Sequence, residues 1–297
     1  MTKTSDWLIS FNSSNQRHIH NLLSERKAST GKTTTISITG GKGGVGKTSI
    51  SLKLAKELVA QGQRVLLIDC DYNLSNTAIK LELPLSNTFY ALVSSEKNFD
   101  ECLYKDGNFH LLSACNGNIG LFDSNFKIEE VIIDIINEHE KEYDYILLDC
   151  PAGLMREALT LNAYCDMRVV VVTPDKASIT DSYSLIKILS QKYGIKENHL
   201  LVNMYQNESQ FERVVKTLSE TVENFLGCRT RILGGVKRFN VDQNKFDKIF
   251  LSNGKNDLHQ NFLQVVGRLT EELSRPRVPA EIFPLEQLNT KFSNLNA

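Results

Sequence analysis

"STGKTTTISITGGKGGVGKTSIS", residues 29–51, contains Gly-Lys-Thr twice, at Gly31-Lys32-Thr33 and at Gly46-Lys47-Thr48. Only the second copy completes the pattern G-x-x-x-x-G-K-[ST], as Gly41-Lys42-Gly43-Gly44-Val45-Gly46-Lys47-Thr48. The first copy would need a glycine where Arg26 stands, and no strand-like run precedes it. A β-branched run, Thr35 to Thr39, leads into the complete copy, and "KTSISLKLAKELVAQG" follows with helical spacing up to Gly62. Strand, glycine loop and helix in that order make a phosphate cradle. Glycines let successive N–H groups converge on an anion, and the helix start adds the positive end of its dipole. Gly41 to Ser49 are therefore expected to bind phosphates, with Lys47 reaching the β and γ oxygens and Thr48 holding Mg²⁺.

Outward from this loop the same rhythm repeats. Further strands are expected at Arg64 to Ile68, Phe109 to Leu112, Tyr145 to Leu148, Arg168 to Val172 and Leu200 to Asn203, with a weaker one near Arg229 to Leu233. Several are continuous apolar runs, as suits strands buried on both faces of a parallel sheet. Amphipathic stretches alternate with them, such as "SITDSYSLIKILSQKYG", which ends on Gly194. The pattern predicts an α/β fold: a doubly wound, mostly parallel sheet flanked by helices. Residues 35–275 form the expected domain. Residues 1–34 read as a polar arm carrying five Lys/Arg against two acids, and residues 276–297 as a tail with a possible short amphipathic helix.

Three acids fall at predicted strand ends, where open α/β sheets bind ligands. "LLIDCDYNLSN" carries Asp69 and Asp71, and "ILLDCPAG" carries Asp149. An Asp after four apolar residues fits a Mg²⁺ position, so Asp69 and Asp149 join Thr48 as metal candidates. Asp71, two residues on, is placed to orient an attacking water. Guanine readers carry N-K-x-D after a late strand. Here "LLVNMYQN" supplies Asn203 but Met204 and Gln206, so ATP is expected, with Asn203 as the base contact.

Composition is that of an ordinary soluble chain of 297 residues with net charge −1, which gives no global case for nucleic-acid binding. The six cysteines lie at least 13 residues apart with no C-x-x-C, so reduced, mostly buried thiols are expected and a zinc site is not. No apolar run reaches transmembrane length and the N-terminus has no signal-peptide core; a cytoplasmic protein is expected.

"GKGGVGKT" resembles the deviant Walker A box of the MinD/ParA class of P-loop ATPases, whose distinguishing residue is the extra lysine, here Lys42. "DCDYNLSN" and "DCPAG" are similar to the two switch segments of that class, and "VTPDKASITDSYSLIKIL" looks most like FlhG (FleN), which controls flagellar number and placement. The resemblance spans roughly residues 35 to 275. It implies a homodimer closed face to face by ATP, acting as a slow timer. Lys42 would cross to the partner's phosphates and act with Asp71 and Lys47 in catalysis. Asp149 would sense the γ-phosphate through Mg²⁺, and Asn76 would face the partner.

Two departures stand out. FlhG proteins carry D-Q-A-x-x-L-R near the start and use it on the SRP-type GTPase FlhF; here the nearest stretch is "NQRHIHNLL". Its stripe Ile19, Leu22, Leu23 is either a docking helix or part of a disordered arm. "LGGVKRFN" lacks the proline and acid of its counterparts beside the adenine pocket. In the tail, Leu285, Leu288, Phe292 and Leu295 keep helical spacing, with Lys291 as the one lysine. That stripe either meets the inner face of the membrane or packs on the protein's own body. A ParA-type partitioning ATPase is the alternative function; it would need a basic surface, for which Lys237 and Arg238 are candidates.

Overall fold

The computed structural model describes residues 33–71, 76–84, 88–113, 127–252 and 257–275. The expectations for the N-terminal arm, for Cys115 and for the tail stripe lie outside these residues.

Among the described residues, eight strands form one sheet in the order β3-β4-β2-β5-β1-β6-β7-β8. They are β1 (Thr34–Thr39), β2 (Val65–Asp69), β3 (Leu103–Asp106), β4 (Phe109–Leu112), β5 (Tyr145–Asp149), β6 (Met167–Val172), β7 (Glu197–Tyr205) and β8 (Arg229–Lys237). All neighbours are parallel except β3 with β4. The seven expected strands are present. The missed strand, β3, is a mostly exposed edge joined to β4 by a turn at Gly107, φ 56°, so its apolar signal is faint. β7 and β8 run past their expected ends, pairing as far as Tyr205 with Lys237.

The apolar runs are explained by cover on both faces. Ile36, Ile38, Val65 and Leu67 pack under α1 (Lys47–Ala60), α9 (Gln243–Leu251) and α10 (Asp257–Ser274). Leu66, Ile68, Ile146 and Leu148 face the other way, against α5 (Ile128–His139) and α6 (Arg156–Tyr164). Val170, Val172, Leu200 and Val202 meet α7 (Lys176–Tyr193) and α8 (Glu208–Leu226). Three short helices lie between β2 and β3: α2 (Thr77–Lys80), α3 (Thr88–Val93) and α4 (Phe99–Cys102). Gly194 closes α7 and Gly227 closes α8 in the left-handed conformation that glycine adopts without penalty. Cys70, Cys102, Cys150, Cys165 and Cys228 are buried, as expected.

Strand order places the site. β1 sits between β5 and β6. The chain leaves β1 at the C-terminal edge of the sheet, curls through residues 40–46 and enters α1. β2 and β5 end beside it on one flank, β7 and β8 on the other.

Candidate functional site

A cleft of about 1100 Å³ opens above this edge. Gly43, Gly44, Gly46, Lys47, Thr48 and Ser49 line its floor. Asp71, Asn76 and Asp149 stand on one wall, with Asn203, Met204 and the 237–242 segment on the other.

The loop needs its glycines at identifiable atoms. Gly46 has φ 94°, and a Cβ there would stand 2.3 Å from the Asn203 amide nitrogen. A Cβ on Gly41 would strike the Asp181 carbonyl at 2.3 Å. Both conformational freedom and close approach are in use. Lys47 starts α1, with Nζ 3.5 Å from the Lys42 carbonyl across the loop. Burial pushes its pKa down, against the pull of Asp149, Cys150 and Asp71. Its ammonium is thus held, partly desolvated, where a phosphate would meet it.

On the acidic flank the strand register does the positioning. Asp69 and Asp149 are directly opposed on β2 and β5, and both are buried. Asp149 accepts from Ser51 Oγ at 2.9 Å and is hydrogen-bonded by Thr48. Asp69 accepts from Thr77 Oγ1 at 2.6 Å and from the Asp71 N–H at 3.1 Å. Burial, and then the charge of Asp69, push the Asp149 carboxyl up to about 7, against the hydrogen bonds of Thr48 and Ser51 and the charge of Lys47. Two buried carboxylates that repel each other beside a threonine hydroxyl form an oxygen-rich site short of positive charge. Its chemistry fits Mg²⁺, with Thr48, Asp69 and Asp149 as the residues that would hold it. Asp71 is half-buried and lines the cleft at the end of this wall, and Asn76 is exposed at the start of α2.

The other flank departs from expectation in detail. Asn203 is buried, and its amide is engaged with the loop itself: Nδ2 donates to the Val45 carbonyl at 2.7 Å, and Oδ1 accepts from the Met204 N–H at 3.0 Å. It braces the phosphate loop, a contact that the sequence does not announce. Met204 sits at a β-bulge with φ 59°, and this turns its side chain out over the loop. Ser49 Oγ donates to Asp247 Oδ1 at 2.9 Å, so this hydroxyl faces α9. Lys237, a candidate for nucleic-acid phosphates, pairs with Glu208 at 3.2 Å and lies 5.9 Å from the Tyr205 ring centre.

Lys42 stands at the rim, 41% exposed, and its Nζ donates to Asp175 Oδ1 at 2.9 Å. Asp175 is the N-cap of α7. Burial works against its charge. Hydrogen bonds from Thr173 Oγ1, Lys42 and the Ser178 N–H outweigh that and hold its pKa at about 2. Asp175 and Asp247 were not picked out from the sequence. Asp175 had a signal, an acid just before a helical pattern. Asp247 had none, since its partner Ser49 is 198 positions away.

Residues 33–202 match the family described as an AAA domain. The chain is 28% identical over 200 residues to the antiactivator FleN of Pseudomonas aeruginosa, covering 67% of this chain and 71% of that protein. It is 30% identical over 191 residues to the septum site-determining protein MinD of Bacillus subtilis, covering 64% of this chain and 71% of that one. Among solved structures, MinD of Pyrococcus horikoshii complexed with Mg-ADP superposes with a TM-score of 0.66 over 82% of this chain and 98% of its own. At 20% identity, that likeness speaks for the fold.

Proposed function

The chain belongs to the AAA-domain P-loop ATPases of the MinD/ParA class, and from that premise we propose that it is an ATP-driven dimerising switch that positions a cellular machine, most like FlhG in flagellar number or placement. It binds ATP with Mg²⁺ and hydrolyses it.

The observation that carries the switch reading is Lys42. It is a second lysine in an intact phosphate loop, and its ammonium stands at the exposed rim where a facing subunit would approach. Exposed apolar side chains share this edge of the sheet: Ile79, Leu154, Met155, Met204 and Phe239. Covering them on ATP binding would repay part of the cost of association.

The chain's own residues divide the chemistry. The loop N–H groups and Lys47 bind and orient the phosphates. Asp71, at the end of the acidic wall, orients the attacking water and takes up its proton. Lys42, supplied by the facing subunit, stabilises the charge that develops as the terminal phosphoryl leaves. An added cation at that point is worth about 10³ to 10⁵ in rate, so hydrolysis would await dimerisation. Mg²⁺, when bound, supplies charge neutralisation across the phosphate oxygens.

The test is light scattering with ATP and with ADP. Wild type is expected to dimerise with ATP alone. Asp71→Ala should stay dimeric in ATP, and Lys42→Ala should bind nucleotide yet remain monomeric. An Asp71→Ala protein that hydrolyses at the wild-type rate would refute the water-orienting role. The tail, residues 276–297, is proposed to bring the ATP form to a membrane, and an FlhF-like GTPase is the proposed partner. Sedimentation with anionic vesicles checks the first, and ATP-dependent capture of that GTPase the second.

A further inference from the structure

Helix α9 carries a carboxylate that the chemistry above does not use. Asp247 is buried, and both its oxygens are engaged: Oδ1 accepts from Ser49 Oγ at 2.9 Å, and Oδ2 from Lys80 Nζ at 2.5 Å. One residue thus ties the helix that follows the phosphate loop to the helix that follows the first acidic segment.

α2 is four residues long. So short a helix has no stability of its own, and its place is set by what its side chains hold. At its start Thr77 Oγ1 donates to Asp69 Oδ2 at 2.6 Å. At its end Lys80 holds Asp247, with side chains only 14% and 12% exposed. A second tie, from Glu82 just past the end of α2 to Lys248 on α9 at 2.9 Å, is 71% and 72% exposed and is screened by water. The buried tie is therefore the stronger of the two, and it fixes the end of α2 as Thr77 fixes its start. It has the feature such a pair needs, since Ser49 satisfies the remaining carboxylate oxygen.

We propose that Asp247 is a positioning residue for ATP hydrolysis: through Lys80 it sets α2, through Thr77 it aims the Asp69 carboxylate, and through that carboxylate it steadies Asp71, whose N–H donates to Asp69 Oδ1 at 3.1 Å. The inference rests on the ATPase reading and adds to it a control point on α9. Displacing a reacting group by an ångström costs up to about a hundredfold in rate, so a tie two contacts removed is expected to be worth about tenfold.

The test uses the full chain as Asp247→Asn, Lys80→Met and the pair together. Asn keeps an acceptor for Ser49, and Met keeps the apolar stem. Three quantities are read: ATP turnover, affinity for a fluorescent ADP in EDTA, and affinity of the ADP complex for Mn²⁺ by electron paramagnetic resonance. Each single variant should lose about tenfold in kcat and several-fold in Mn²⁺ affinity, and the double no more than the worse single. ADP affinity in EDTA should stay within about threefold. Three results would overturn the inference: wild-type turnover and Mn²⁺ affinity in Asp247→Asn, losses that multiply in the double, or a matching loss of metal-free ADP binding, which would make Asp247 a general brace. If Asp247→Asn does not fold, Lys80→Met carries the same comparison. A wild-type protein that turns over ATP equally well in EDTA would instead sink the metal-dependent ATPase reading itself.

Discussion

The two flanks of the phosphate loop are built in different ways. On the acidic flank, order comes from the sheet: β2 and β5 run in register, so Asp69 and Asp149 are delivered side by side by backbone pairing. On the other flank, order comes from side chains reaching across the molecule. Asn203 holds Val45 from 158 positions away, and Asp247 holds Ser49 from 198. On the first flank the backbones are as rigid as the sheet itself, and only the aim of the Asp69 carboxylate depends on Thr77 and α2. The second is a set of single hydrogen bonds, each worth about 0.5–1.5 kcal/mol, or more where a charge is involved. Chemistry that cannot tolerate displacement sits on the first. The second can be adjusted one contact at a time.

The strongest way to break this contrast is Asp149→Asn, which leaves the backbone register intact and removes a buried charge. Turnover is expected to fall at least about a hundredfold, because the loss is several kcal/mol of charge stabilisation. ADP binding in EDTA should change little. A variant that still turns over ATP near the wild-type rate would show that the register-built flank is not the catalytic one.

Gly46→Ala attacks the joint between the flanks. The new methyl meets the Asn203 amide at 2.3 Å and sits at φ 94°. ADP affinity should drop by about ten- to a hundredfold through strain and displacement. Adding Asn203→Ala removes the clash but not the backbone strain, so only part of the affinity should return, as read by fluorescent ADP titration. Complete recovery would mean that the backbone angle at residue 46 costs nothing.

A pH titration separates the flanks by the charge of one of them. Asp149 ionises at about 7 and must lose its proton to hold a cation. Below that pH each proton opposes the metal, so affinity for Mg-ADP should fall by up to about tenfold per pH unit, and above it the affinity should level off. Binding of ADP in EDTA should lack this slope, as should Mg-ADP binding by Asp149→Asn. Calorimetry between pH 6 and pH 8.5 measures all three.

The same contrast explains what could be read from the sequence. "VLLID" and "YILLD" declare both a buried strand and the acid at its end, because the strand pattern and the acid that ends it lie in one window of five residues. The phosphate loop is equally local. β3 escaped because an exposed edge strand has no apolar run to show. Asn203 was found, but its bond to the Val45 carbonyl was not: a strand-end amide looks the same whether or not a loop carbonyl lies across from it. Asp247 sits in "NKFDKIF", an ordinary amphipathic turn, and only the folded chain brings Ser49 and Lys80 to it.

Asp175 lies between these cases, and its substitution is the smallest of the tests. Asn caps a helix about as well as Asp, so Asp175→Asn should hold α7 while giving up the charge that fixes Lys42. The ion pair is 41% and 46% exposed, a setting in which a pair contributes less than about 1 kcal/mol. The melting temperature should barely move. What should change is association: a lysine no longer held in its own subunit is freer to reach another, so ATP-dependent dimerisation in an Asp71→Ala background should tighten about two- to fivefold by sedimentation. If association weakens instead, Asp175 aims the lysine toward the partner rather than restraining it. Asp175→Ala supplies the control, because it loses the cap as well and should cost about 1 kcal/mol in stability that Asp175→Asn does not.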